Sequence, residues 1–165
     1  MPLNLCTETF NKKDVDFDKV LKRAMEEFER VKGNSNGRSE EKQFQDIVMG
    51  HRVEQWLIDN CGFTDNPKPY QDQFDPNGIS KEIKSISMGH PSHDVQGLVD
   101  GITAIFYGTK KRYGLNTRRW KFGHEIADKV YIFWYNKLTG DYTLLYTATA
   151  NDDKEIYEVD HVLSL

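Results

Sequence analysis

Apolar residues recur at helical spacing early in the chain. Val20, Leu21, Ala24, Phe28 and Val31 fall on one face of a helix that Asp16 or Asp18 can cap and that runs to about Val31. The opposite face is charged, so this helix is expected to pack against the domain, with dimerisation as a second use. Lys32 to Glu41 reads as a loop by composition. Ser39 can cap the next helix, with Glu40 and Glu41 in its first turn, where acidic side chains suit the helix dipole. Phe44, Ile47, Val48, Trp56, Leu57 and Ile58 carry its apolar content to about Asn60, and Cys61-Gly62 ends it. Residues 1–14 show no clear pattern.

The period then shortens. Tyr70 to Asp75 and Ile79 to Ser87 form the arms of a tight hairpin around Pro76, Asn77 and Gly78, residues that suit a short turn. This loop sets Asp75 opposite Ile79, Phe74 opposite Ser80 and Asp72 opposite Glu82. Further on, Asp94 can cap a helix from Val95 to about Tyr107, with Leu98, Val99, Ile102, Ile105 and Phe106 as its apolar face. Lys129 to Tyr135 is an almost continuous apolar strand, as expected where both faces are covered. Asn136 to Gly140 is a turn, and Tyr142 to Thr147 is the return strand. Residues 151–165 are acidic and are expected to cover a sheet edge or form a short helix. The order helix, helix, hairpin, helix, hairpin predicts an α/β fold, a mixed β-sheet core flanked by helices. One domain spans 1–165, with a helical part over about 16–60 and the hairpin and sheet over about 63–150.

Composition sharpens this picture. A chain of 165 residues with 38% hydrophobic and 29% charged residues fits one soluble globular domain with its own core. The formal net charge of −4 argues against nucleic-acid binding by bulk charge, so any such contact needs a local basic patch. One exists: Lys110 to Lys121 holds Lys110, Lys111, Arg112, Arg118, Arg119 and Lys121, with Tyr113 and Trp120 interleaved. It suits a loop that clamps phosphates, although a solvated basic loop would look the same. Cys6 and Cys61 lack metal or disulfide spacing, which points to free thiols in a reducing cytoplasm. No apolar run reaches membrane-span length, and no leader segment is expected before the first helix.

The hairpin carries the candidate chemistry. Directly opposed residues hold their Cβ atoms roughly 4.5–5.5 Å apart on one face, and Lys84, two residues beyond Glu82, shares that face. Like charges placed opposite one another destabilise a sheet, and a bound cation reverses the sign. Opposed carboxylates suit Mg²⁺, which takes one or two of them together with waters and phosphate oxygens. Lys84 could then orient or deprotonate a metal-bound water. The plain alternative is a solvated hairpin tip with Lys84 bridging two surface acids.

This stretch resembles the PD-(D/E)XK nuclease superfamily through Asp72, nine intervening residues, and Glu82-Ile83-Lys84, followed by Ser85. Gln71 stands where the family usually has Pro. A competing alignment takes Asp75 as the acid, but Asp75 falls at the loop edge and Asp72 is preferred. Within the superfamily the stretch looks most like the small homodimeric type II restriction endonucleases that cut to blunt ends. The resemblance implies a restriction-endonuclease-like fold and Mg²⁺-dependent hydrolysis of duplex DNA, with Mn²⁺ as a substitute ion. It assigns the metal to Asp72, Glu82 and the Ile83 carbonyl, and the attacking water to Lys84.

The resemblance also implies further roles. Relatives often present a Glu from the preceding helix, which makes Glu54 a candidate third carboxylate; Gly50, one turn away, would allow a close approach. Glu54 could equally be an exposed helical residue paired with a nearby cation. His90, Ser92 and His93, just past the catalytic strand, are candidates for reading base edges, or a polar surface loop. Gln96 is not diagnostic, and nothing discriminates a role for His51 or Arg52. A homodimer would match a palindromic site. Alternatives are a homing or phage nuclease, a junction resolvase, a small nicking subunit with a larger partner, an RNA-directed nuclease, and a non-catalytic binding module.

Overall fold

A computed structural model describes residues 9–33, 37–67, 72–87, 127–150, 152 and 157–162. The helix expected over 95–107 lies outside them.

Two helices stand beside a mixed sheet. Helix α1 (Phe17–Val31) is capped by Asp16, whose carboxylate accepts from the backbone N–H groups of Asp18 and Lys19. Helix α2 (Glu40–Cys61) is capped by Ser39 and ends at Gly62, whose φ of 72° supplies the left-handed turn. Both helices match their predicted spans to within a residue. Val20 and Ala24 of α1 are fully buried against α2, so packing accounts for the apolar stripe. Phe28 meets Phe44 edge-on at 5.5 Å, and the buried Gln43 side chain donates to the Val31 carbonyl at 3.0 Å.

Among the described residues seven strands occur: β1 (Thr9–Asn11), β2 (Thr64–Asp65), β3 (Gln73–Phe74), β4 (Ser80–Ser87), β5 (Lys129–Tyr135), β6 (Asp141–Ala150) and β7 (Tyr157–Val162). They line up as β1-β6-β5-β4-β3-β2, and β7 also pairs with β6. Strands β4 and β5 run parallel, with Glu82 beside Val130 and Lys84 beside Ile132; the other pairs are antiparallel. The coarse expectation of a mixed α/β sheet with flanking helices therefore holds. Residues 1–14, without pattern in the sequence, supply β1 and a short 3-10 turn (Lys12–Asp14). The acidic tail covers an edge, as strand β7 rather than as a helix.

One core cluster fills the space between the helices and the sheet. Phe10 of β1 lies flat between Trp56 (4.4 Å) and Tyr142 (4.9 Å), with Phe133 edge-on at 6.1 Å. Ile132, Val130, Leu145 and Ala148 are also fully buried, as a strand covered on both faces requires. No described helix is long and apolar enough to cross a membrane.

Candidate active site on the β3–β4 hairpin

Nearest the turn the hairpin forms in the predicted register, its first strand spanning Gln73–Phe74 among the described residues. Phe74 pairs with Ser80 and Gln73 with Lys81. The Asp75 N–H donates to the Ile79 carbonyl at 3.0 Å, and Gly78, at φ 80°, closes the turn with a 2.9 Å bond to the Asp75 carbonyl. The Asp75 carboxylate is taken up locally. Its Oδ1 accepts from the Asn77 and Ile79 N–H groups at 2.8 and 2.9 Å, and its Oδ2 lies 3.4 Å from Lys81 Nζ. Asp75 is therefore a turn residue, and Asp72 is the acid that faces the site.

Asp72 lies one residue before β3 and donates its N–H to the Lys81 carbonyl at 2.8 Å, so the expected pairing of Asp72 with Glu82 is not part of the ladder. Its Oδ2 accepts the Ile83 N–H at 2.7 Å. The residue keeps some exposed surface, but its carboxyl is enclosed. Burial and the charges of Glu82 and Glu54 push that carboxyl well above the usual carboxylate range, against the pull of the Ile83 N–H and Lys84. Glu82 is only 3% exposed, and its Oε1 lies 3.5 Å from Lys84 Nζ. Ile83 packs its side chain into the core.

A cavity of about 590 Å³ opens here between α2 and β4, lined by Glu54, Asp72, Ile83 and Lys84 and by the ends of Glu27 and His51. Glu82 does not line it and sits behind Lys84. Gly50 also lines the cavity, but a Cβ built on it would meet nothing within 4 Å, so it leaves space open rather than allowing a close approach.

Glu54 reaches this cavity from α2 in a prescribed position. Its Oε2 lies 2.9 Å from His51 Nδ1 and 3.6 Å from Arg23. His51 Nε2 meets Glu27 Oε1 at 3.1 Å. Burial works against a charged His51 ring, but Glu27 and Glu54 outweigh it and carry its pKa to about 9, so the ring is an imidazolium at neutral pH. With Nδ1 protonated, the 3.4 Å approach of Arg23 Nε is packing rather than a hydrogen bond. Arg23 forks onto Asp65 at 2.7 and 3.0 Å, and Gln73 ties the hairpin to α2 by donating to the Glu54 carbonyl at 3.1 Å. Both charged contacts of Glu54 use Oε2, so the helical Glu is paired and also presented to the cavity.

Asp72, Glu82, Ile83, Lys84 and Glu54 thus come together. The other candidates, His90, Ser92, His93, Lys110, Lys111, Arg112, Arg118, Arg119 and Lys121, lie outside the described residues, as does Gln96. The Glu27–His51–Glu54–Arg23 chain was not anticipated as a unit. The i, i+3 spacing of His51 and Glu54 was the available signal; the partners on α1 come from tertiary packing.

The donor set is hard: enclosed carboxylates, among them Asp72, whose proton affinity burial and its acidic neighbours raise, a backbone carbonyl and a lysine. Such a set suits a small divalent cation completed by water and phosphate oxygens. Among the described residues no three or more His, Cys, Asp or Glu side chains form a ready-made metal cage. A two-carboxylate site of this type does not require one. Comparison of the chain with protein-family models, characterised proteins and solved structures finds no match.

Proposed function

We propose that the chain is a Mg²⁺-dependent endodeoxyribonuclease that hydrolyses phosphodiester bonds of duplex DNA, with the restriction-endonuclease-like fold and a homodimeric, site-specific type II habit. The observation that carries this reading is the meeting of Asp72, Lys84 and Glu54 in one cavity, with Glu82 3.5 Å behind the lysine. The carboxyl raised by burial and then by its neighbours' charges adds support, because buried and crowded like charges cost stability unless a cation offsets them.

In this reading Asp72, Glu82 and the Ile83 carbonyl would hold the ion. The ion supplies Lewis-acid polarisation of the phosphate and charge neutralisation. Lys84 would hold the attacking water in line and donate to a phosphoryl oxygen as charge develops there. Water oxygen bonds to phosphorus, the bond to the 3′ oxygen breaks, and the products are a 5′-phosphate and a 3′-hydroxyl. Glu54, held by His51 and Arg23, would keep its free oxygen directed at the site.

The test is incubation of the purified chain with a large duplex DNA and Mg²⁺ or Mn²⁺, beside Lys84→Ala. Discrete fragments from the wild type alone are expected. Intact DNA in every metal and buffer removes autonomous cleavage. Gel filtration addresses the second claim, and a strict monomer that only nicks rejects the homodimer.

A further inference from the structure

We propose that a second cavity, beside the first, seats the nucleotide adjacent to the cleaved bond. This rests on the nuclease reading above. The cavity has about 460 Å³ and lies between α2 and the end of β5. Its volume falls within the range of roughly 300–1,000 Å³ usual for small-molecule sites.

The two cavities adjoin, sharing Lys42, Asp46, Met49 and Ser87 as common lining. Ser87 marks the passage. Among the described residues its buried Oγ has no hydrogen-bond partner, and neither does that of Ser85 on the same strand. A buried hydroxyl without a partner costs free energy that a polar ligand would recover.

Beyond Ser87 the lining changes character. Phe17, Phe44 and Tyr135 provide flat apolar surface, and Arg52 and Lys137 provide positive charge. Tyr135 is fixed by stacking on Tyr142 at 4.5 Å. The Arg52 guanidinium sits 5.7 Å from the Phe17 ring centroid, and the Tyr142 hydroxyl donates to the Met49 carbonyl at 3.1 Å. Lys42 contributes less, because Asp46 already holds it at 2.9 Å. Arg52 and Lys137 make no ion pair with a described carboxylate, so their charge is available to an anion.

Apolar ring surface beside cationic groups suits a segment of DNA backbone: sugar against the rings, phosphate at Lys137 and at the guanidinium that Arg52 holds over Phe17. Phosphates on one strand follow at about 3.4 Å of helix axis. A strand with one phosphate in the first cavity would therefore carry its neighbours past Ser87 toward Arg52. The chain's net charge of −4 makes such a local positive surface more telling.

The experiment is anisotropy of a labelled short DNA duplex in EDTA, which separates binding from cleavage. Wild type is compared with Arg52→Gln/Lys137→Gln, with Lys137→Gln alone, and with Lys129→Gln at the opposite end of β5. Lys137 is exposed in the β5–β6 turn, so its variant keeps the fold if the loss of the Arg52 contact does not. The double variant is expected to weaken binding about tenfold or more at low salt and to reduce the salt slope by about 2. Lys137→Gln should show about half of that slope change, and Lys129→Gln none. Wild-type affinity and slope in both cavity variants overturn the seat and leave the nuclease reading standing. Binding lost as expected, in a protein that never cleaves, leaves a DNA contact at this cavity and overturns its place beside a cleaved bond together with the nuclease reading. A wild type that binds no DNA at low salt overturns both.

Discussion

Asp72→Asn should make the metal-free protein more stable while abolishing activity. The Asp72 carboxyl sits enclosed beside Glu82 and Glu54, and these raise its proton affinity together with burial. Asparagine keeps the size and the oxygen that accepts the 2.7 Å bond from the Ile83 N–H. It removes the charge. At an effective dielectric of about 20, two like charges about 4 Å apart repel by about 4 kcal/mol, and by less at greater separation. Two such neighbours act on Asp72, and the attraction of Lys84 is lost with the charge, so the net gain is expected at about 1–3 kcal/mol near neutral pH. For a domain of this size each kcal/mol moves Tm by about 2–4 °C.

The sign follows from the raised pKa. A carboxyl harder to ionise in the folded than in the unfolded state leaves stability unaffected below its unfolded value. It lowers stability progressively as pH rises through its folded value. The advantage of Asp72→Asn should thus be absent near pH 3.5 and grow toward neutrality. Urea unfolding in EDTA at several pH values measures it. Adding Mg²⁺ should stabilise the wild type by mass action and leave the variant unmoved. A variant less stable than wild type at neutral pH in EDTA would refute the electrostatic account of this site.

His51, carried to about pH 9 by Glu27 and Glu54, contributes stability that is fully present below about pH 6.5 and lost as pH rises through about 9. The shift corresponds to at most about 3 kcal/mol, reduced to about 1–2 by solvent screening, and His51→Gln should flatten the alkaline limb of a pH–stability curve. Gly78→Ala forces an L side chain to φ 80° and should cost about 1–2 kcal/mol in urea unfolding. Cleavage should fall with it, because this turn brings Asp72 to the Lys81 carbonyl and the Ile83 N–H at the site. Phe10→Ala empties the slot between Trp56 and Tyr142 and should cost about 3–5 kcal/mol, read as a large drop in Tm.

The hairpin register, both helices with their caps, and the β5–β6 pair were legible in the sequence because each is fixed locally. Turn chemistry sets which residues oppose across a few positions, and capping residues sit next to the backbone groups they satisfy. Asp72, Glu82 and Lys84 could therefore be placed together before any fold was known. Tertiary structure decided what depends on distant partners. The parallel pairing of β4 with β5 joins strands far apart in the chain and has no local signature. Strand β1 is too short to show a period and exists because β6 offers an edge and Phe10 a slot between two rings. Asp75 could be separated from Asp72 only once its oxygens were seen on the turn amides. The hold of Arg23 on Glu54 and of Glu27 on His51 arises where α1 packs on α2, and no spacing within either helix specifies a neighbour on the other.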